Sequence, residues 1–390
     1  MSRRTPAQPS APAPAGASTS GTPAPAQTTT ATPDRASTPW PVRLGYAATA
    51  WSALYAVLGL FWTAGGPGFP FGPGHDPTRF ESVLGSVPAD VAAPALAAFG
   101  ILGAALGLAA TRALAAGRTL GRAAPVFAGY AAVSALALLV VVPDRRVLML
   151  VAYAPILAGI GLYVLVTGSS MPHIVDPGLW TVTHQAVFVL GGLAWAGLAV
   201  ATARRYRAAC LACGRTPGRV SRWTTPAAAA RWGRWAVGLA VVVPLVYAAT
   251  RWAWALGVPL GIDEEFYRQG KQDGMWMAGA ALASLGILGA ILTLGLVQRW
   301  GEVYPRWVWF RAGRTVPPKV AVVPAALVSV IVTSAGLEYW RLIQRPEFAE
   351  QWWATMGPEL LWPLWGAGLA AATLAYHLRR RGSCRTCGQA

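Results

Sequence analysis

The sequence predicts an all-α, polytopic transmembrane helical bundle, and three observations carry that prediction. Of 390 residues, 55% are hydrophobic and only 12% are charged, against roughly 25% charged in an ordinary soluble domain. The mean hydropathy is +0.44. Nine apolar segments recur at 44–63, 90–111, 123–142, 147–167, 181–202, 235–256, 276–297, 319–338 and 359–378. Each approaches the roughly 20 residues that a helix needs to cross a hydrocarbon core about 30 Å thick. Backbone polar groups find no partner in hydrocarbon, so the segments are expected to be helices. The short dyad-alternating strands of a membrane barrel are missing.

Residues 1–40 form a Pro/Ala/Thr-rich tail with almost no large apolar side chain. Such a composition buries too little surface to offset the entropy of ordering, so disorder is expected. The tail has no apolar core of a signal peptide, and the first apolar helix is expected to serve as an uncleaved signal. Residues 41–202 then form a first transmembrane half, 203–234 a linker, 235–378 a second half, and 379–390 a basic tail.

Charge orients these parts. The linker carries eight arginines and no acid, from Arg204 to Arg234, and is expected in the cytoplasm by the positive-inside rule. Loop 298–319 and the tail follow it there. Loop 257–274 has four acids against two bases, a net −2, and is expected outside together with 339–358. In the first half, a cytoplasmic N-terminus followed by five crossings would leave the linker outside. Either one segment within 123–167 is shallow or re-entrant, giving eight spans, or the N-terminus is external; the first is favoured. The overall charge of +17 does not point to nucleic acid. It resides almost wholly in arginines of particular loops, which is the pattern of a membrane protein.

The two halves resemble each other. "GILGA" recurs at 100 and 286, "AGRT" at 116 and 312, "AGLA" at 196 and 367, and the first cysteine of a CxxCG pair at 210 and 384. The offsets drift while the order holds, as expected of a duplicated unit of about four helices. In transporters such repeats commonly flank a central path. Gly100, Gly103 and Gly107, echoed by Gly286 and Gly289, give small-residue faces for close helix contact. They are expected at the seam between the halves.

The four cysteines carry the sharpest chemistry. "CLACG" at 210–214 and "CRTCG" at 384–388 each bring two thiolates within reach of one ion, with a glycine free to take the positive φ such a turn needs. Cys210, Cys213, Cys384 and Cys387 are expected to form one closed tetrahedral zinc site. With no open coordination position, it would be structural. Alternatives are a redox dithiol in each pair, an iron–sulfur cluster, or inert thiols.

Other candidates are weaker. His184 and Gln185 lie near the start of a span, and Arg251 and Glu338 near outer span ends. Polar groups at membrane depth usually face the interior, so these four are candidates for a polar cavity. Arg251 is expected to pair with Asp263, Glu264 or Glu265, or to snorkel to headgroups. His75, His173 and His377 do not combine with His184 into a bis-histidine haem site. The Gly/Pro-rich loops 65–74 and 257–270 are expected to fold over the helix ends as paired lids. Many of the nineteen tryptophans lie near segment ends, as an interfacial belt requires. No nucleotide-binding, metalloprotease or hydrolase motif is present.

In composition and motif style, including the long Pro/Ala/Thr-rich N-terminus, the chain resembles uncharacterised multi-pass membrane proteins of actinobacteria. The resemblance covers the membrane part and implies a plasma-membrane location. Three functional expectations follow. The first is a membrane scaffold or regulatory protein stapled by zinc on its cytoplasmic face. The second is a small-solute transporter built from two related bundles, and the third a membrane-embedded enzyme acting on lipid through His184 and the external acids. Transport calls for a polar cavity between the halves, an enzyme for a lateral opening with clustered ionisable groups, and a scaffold for a packed core.

Overall fold

A computed structural model describes residues 39–168, 178–218, 221–345 and 352–389. The N-terminal tail and His173, with the polar stretch around it, lie outside the described residues. Among those described, the chain is helical, with an isolated β-bridge between Val303 and Thr315.

Among the described residues, seven helices are long and apolar enough to cross a membrane. They are α1 (Trp40–Thr63), α2 (Ala89–Ala115), α3 (Ala124–Leu136, extended by a π turn over Ala137–Val141), α5 (Leu179–Tyr206), α6 (Pro226–Ala255), α8 (Met275–Leu294) and α9 (Pro318–Leu342). Two further long helices occupy the remaining apolar segments. These are α4 (Arg145–Thr167), which opens on two arginines, and α12 (Trp362–Arg380), which closes on Arg379 and Arg380. Three short helices, α7 (Glu264–Gln272), α10 (Trp352–Thr355) and α11 (Gly357–Leu360), lie in loops.

The helices outrun their apolar windows where capping permits. Helix α6 starts at Pro226, well before the apolar run at 235. The Thr225 hydroxyl accepts from the Ala228 N–H at 3.3 Å, and proline in the first turn loses no hydrogen bond there. Asp144 caps α4 through the Arg146 N–H at 3.0 Å.

Helix α1 packs on α2 and α5, and α5 on α3; helix α6 packs on α8 and α12, and α12 on α9. The first group encloses a core around Tyr55, Phe188, Trp195 and Leu198. The second encloses Val237, Val332, Leu369 and Tyr376. Helix α9 is the common wall. It packs against the π turn and α4, and Ile331 lies in the first core while Val332 and Ala335 lie in the second.

The glycine face of α2 is not this seam. A Cβ on Gly100 would stand 2.4 Å from the Ala56 nitrogen, and one on Gly103 2.7 Å from the Ser52 hydroxyl, both on α1. The small residues thus let α1 and α2 meet backbone to backbone within the first half. Gly289 has nothing within 4 Å of a built Cβ. The seam instead uses branched side chains of α9.

The helix ends define two faces. On one lie the C-termini of α5 and α12, the N-terminus of α6 and the 295–317 loop. They are tied by bonds such as Arg381 to the Thr224 carbonyl at 3.3 Å and Arg380 to the Val316 carbonyl at 2.9 Å. Glu302 is the one acid there among the described residues. The other face carries the remaining described acids. Its 64–88 loop folds over the helix ends: Phe69 and Phe71 are buried, and Thr181 donates to the Pro70 carbonyl at 2.7 Å. Ile262 of the later loop is likewise buried beside Trp254, Trp276 and Ala354. Both loops are packed caps.

Candidate metal centre

Cys210 follows the end of α5 by four residues, and Cys384 follows the end of α12 by the same count. Each opens a turn of one geometry. The Cys210 N–H donates to the Arg215 carbonyl at 2.9 Å, and the Gly214 N–H donates back to the Cys210 carbonyl at 2.7 Å. The Cys384 N–H donates to the Gln389 carbonyl at 2.9 Å, and the Gly388 N–H to the Cys384 carbonyl at 2.8 Å. The closing glycines have φ of 74° and 69°, the left-handed region that glycine enters without a Cβ clash.

The turns face each other across 174 residues of sequence. Cys210 Sγ lies 3.9 Å from Cys384 Sγ, and Cys213 Sγ lies 3.6 Å from Cys387 Sγ. All four sulfurs are within 4.8 Å of one another. Arginines hold the frame: Arg215 Nη1 donates to the carbonyls of Gly382 at 3.0 Å and Gln389 at 2.7 Å, and Arg204 Nη1 to that of Leu211 at 2.7 Å.

These sulfurs fit one ion. Four thiolates bound tetrahedrally at about 2.3 Å stand about 3.8 Å apart. All four cysteines are free, with no disulfide among them. A cubane cluster would need a wider cradle, because iron and sulfide stand between its ligands. Tetrahedral thiolate sets select zinc or a single iron.

The turns also prepare the thiols to ionise. The backbone N–H groups of Cys387 and Thr386 point at Cys384 and lower its pKa to about 6. The N–H groups of Cys213 and Ala212 lower that of Cys210. Cys387 moves the other way, to about 12: the Gln389 N–H favours its thiolate, but desolvation and the sulfurs of Cys213, Cys210 and Cys384 oppose ionisation more strongly. Four crowded thiols resist losing all their protons until a cation neutralises them.

No protein-family model, curated protein or solved structure matches this chain. The other polar candidates lie on the opposite face.

There the four polar candidates do not gather at one site. Glu338 on α9 is fully buried and accepts from Arg145, through its backbone N–H at 2.6 Å and Nη1 at 3.0 Å. Arg145 also reaches Glu81 at 2.6 Å. Gln185 is fully buried and donates to Asp144 Oδ2 at 2.5 Å. Asp144 and Asp76 both bind the Arg146 guanidinium, at 2.7 and 2.8 Å. Gln185 and Glu338 therefore belong to one ion network that crosses the seam. His184 stands apart, hydrogen-bonded to the Tyr55 hydroxyl at 2.9 Å and edge-on to Trp180.

Arg251 pairs with Glu359 on α11, and donates to the Thr355 carbonyl at 2.9 Å. This corrects the expected pairing with 263–265. Asp263 instead caps α7 through the Phe266 N–H at 2.7 Å, Glu265 pairs with Arg268, and Glu264 is exposed. A cavity of about 500 Å³ lies between α4 and the second half, lined by Arg145, Tyr153, Tyr247, Arg251, Tyr339 and Glu359. Of the four residues expected to line a polar cavity, Arg251 does so, whereas His184, Gln185 and Glu338 do not.

Sequence reasoning did not single out Asp144, Arg145, Arg146, Glu81 and Glu359, which carry these ion pairs. The available signal was "PDRR" at 143–146, two arginines directly after an apolar run on the acid-bearing side of the chain.

Proposed function

We propose that the chain is a plasma-membrane scaffold or regulatory protein of two related four-helix halves, locked together at their cytoplasmic ends by one structural zinc ion on Cys210, Cys213, Cys384 and Cys387. The observation that carries this is the gathering of four sulfurs, two from each half, within 4.8 Å of one another. A site closed by four protein thiolates leaves no position for substrate, so its contribution is to folding and to the fixed relation of the halves.

The repeat is supported by helix pairing. The order α1–α2, α1–α5, α3–α5 returns as α6–α8, α6–α12, α9–α12. Gly117 and Gly313 of the "AGRT" matches share positive φ, at 67° and 75°. Eight crossings follow if α12 spans as its counterpart α5 does. The start of α1, the end of α12 and all four cysteines then lie on the arginine-rich face, which the positive-inside rule makes cytoplasmic and where thiols stay reduced. Helix α4 starts on the acidic face, and α5 also starts there. It is accordingly the segment that does not complete a crossing.

A scaffold is favoured over a rocking transporter because the halves are joined at both ends. The sulfurs join them on one face and Arg145–Glu338 on the other. The second reading, binding or passage of a small solute, draws on the cavity beside Arg145 and Arg251, which lies between the halves as a transport site would.

The decisive experiment is elemental analysis of the detergent-purified chain. One zinc per chain, lost on Cys384→Ser, is expected. Four titratable free thiols with no metal would overturn the clamp, and one iron would replace the ion while keeping the site.

A further inference from the structure

The 295–317 loop is long where its first-half counterpart is short. Helix α2 ends at Ala115 and α3 begins at Ala124, whereas α8 ends at Leu294 and α9 begins at Pro318. The added residues build a hairpin. The Val316 N–H donates to the Glu302 carbonyl, the Tyr304 N–H to that of Arg314, each at 2.9 Å, and the Gly313 N–H to that of Tyr304 at 3.0 Å. Its base is fastened to α12: the Tyr376 hydroxyl donates to the Gly301 carbonyl at 2.7 Å, and Arg379 reaches Glu302 at 3.3 Å. With Glu302 so engaged, the hairpin's other charges are all basic.

The tip is apolar and uncovered. Trp307 is 79% exposed, Trp309 83% and Phe310 61%. Between and beside them stand Arg306, Arg311 and Arg314, all exposed. Beneath the hairpin, an apolar cavity of about 350 Å³ runs between α8, α9 and α12, lined among others by Leu292, Leu296, Val320, Pro324 and Trp365, with Trp307 also on its wall. The cavity has room for hydrocarbon and almost no polar partner for a solute.

We infer that this hairpin and slot bind one anionic phospholipid of the leaflet on the cysteine face. An acyl chain fills the slot, and the arginines of the tip receive the phosphate. Three features match that occupant and no soluble one: an apolar slot opening beside the membrane interface, indole rings suited to headgroup depth, and cations without an acid to neutralise them. Guanidinium forks bind phosphate oxygens in pairs, and each basic residue near an anionic surface adds attraction that salt weakens.

The test is native mass spectrometry of the full chain, delipidated and titrated with phosphatidylglycerol or phosphatidylcholine of equal chain length. One phosphatidylglycerol is expected to bind in clear preference to phosphatidylcholine. Arg306→Gln, Arg311→Gln and Arg314→Gln combined should weaken phosphatidylglycerol on the order of a hundredfold and phosphatidylcholine, whose phosphate is offset by its own ammonium, far less. Ala325→Trp, on the slot wall, should abolish the tight lipid whatever its headgroup. Soluble glycerol phosphate should not compete. Equal affinity for the two lipids, or an unchanged preference in the triple variant, would overturn the inference, as would competition by glycerol phosphate. Arg306→Gln alone, at the exposed tip, gives a several-fold loss should the triple variant fold poorly, and unchanged affinity in it would count equally against the site.

Discussion

A thiol that ionises easily is also a ligand that protons must vacate, so a metal held by the cysteine cluster would be bound in a pH-dependent way. Cys384 has its pKa lowered from the ordinary 9.0 to about 6 by the N–H groups of its turn. A lowered thiol pKa contributes stability that is complete above the unfolded value and disappears as pH falls through the folded one. Metal binding extends that window downward, because the ion competes with the protons. Zinc should therefore be retained at neutral pH and released as pH drops through about 6 and below, read with a chromophoric chelator. Release already between about pH 8 and 9, where an unassisted thiol protonates, would show that the turns do not prepare the site. The cysteines were legible because spacing alone brings two thiols to one turn. Arg251 was not. Its partner Glu359 is 108 residues away, and nothing local distinguishes it from the nearer acids, of which Asp263 is taken by the α7 cap and Glu265 by Arg268.

Helices are legible from length and apolarity, but the face each shows to a neighbour depends on which neighbour arrives. The glycines of α2 illustrate this. Their spacing announces a close contact, yet only the fold names α1 as the partner. The consequence is measurable. At Gly100 a methyl group would meet the Ala56 nitrogen at 2.4 Å, a backbone atom that cannot step aside. Gly100→Ala should cost about 1–3 kcal/mol and lower the melting temperature in detergent. Gly238→Ala on α6, where a Cβ meets nothing within 4 Å, should leave stability equal or slightly higher, since alanine is the better helix former. Equal loss in both would mean that helix propensity, and not the α1–α2 contact, is being measured. The π turn that ends α3 and the branched surface of α9 gave no sequence signal of a seam, because Val and Ile serve lipid-facing and protein-facing positions alike.

For the whole molecule, the question is what keeps two halves together in a solvent that does not drive helices apart from lipid. Within hydrocarbon the hydrophobic effect is absent, so association rests on packing and on polar bonds. Here the polar bonds concentrate at the two ends of the seam. At one end is the cysteine cluster. At the other are Arg145 with Glu338, and the Ser334 hydroxyl donating to the Pro143 carbonyl at 2.5 Å. Breaking a buried ion pair by removing one partner costs about 3–5 kcal/mol, because the other charge is left uncompensated. In this case Glu81 still holds Arg145 at 2.6 Å, which places Glu338→Gln at the lower end. Neither fastener should be indispensable alone. The prediction uses the full chain carrying a protease site in the 216–221 stretch, folded first and then cut in detergent. The halves should stay together after cutting, after cutting with a zinc chelator, and after cutting in the Glu338→Gln variant. They should separate on a sizing column only when chelator and variant are combined. Separation by chelator alone would make the metal the sole fastener and leave the ion network an ornament of the first half. Persistence under both treatments would place the cohesion in the α9 packing, and would open the way to a sliding seam of the kind a transporter needs.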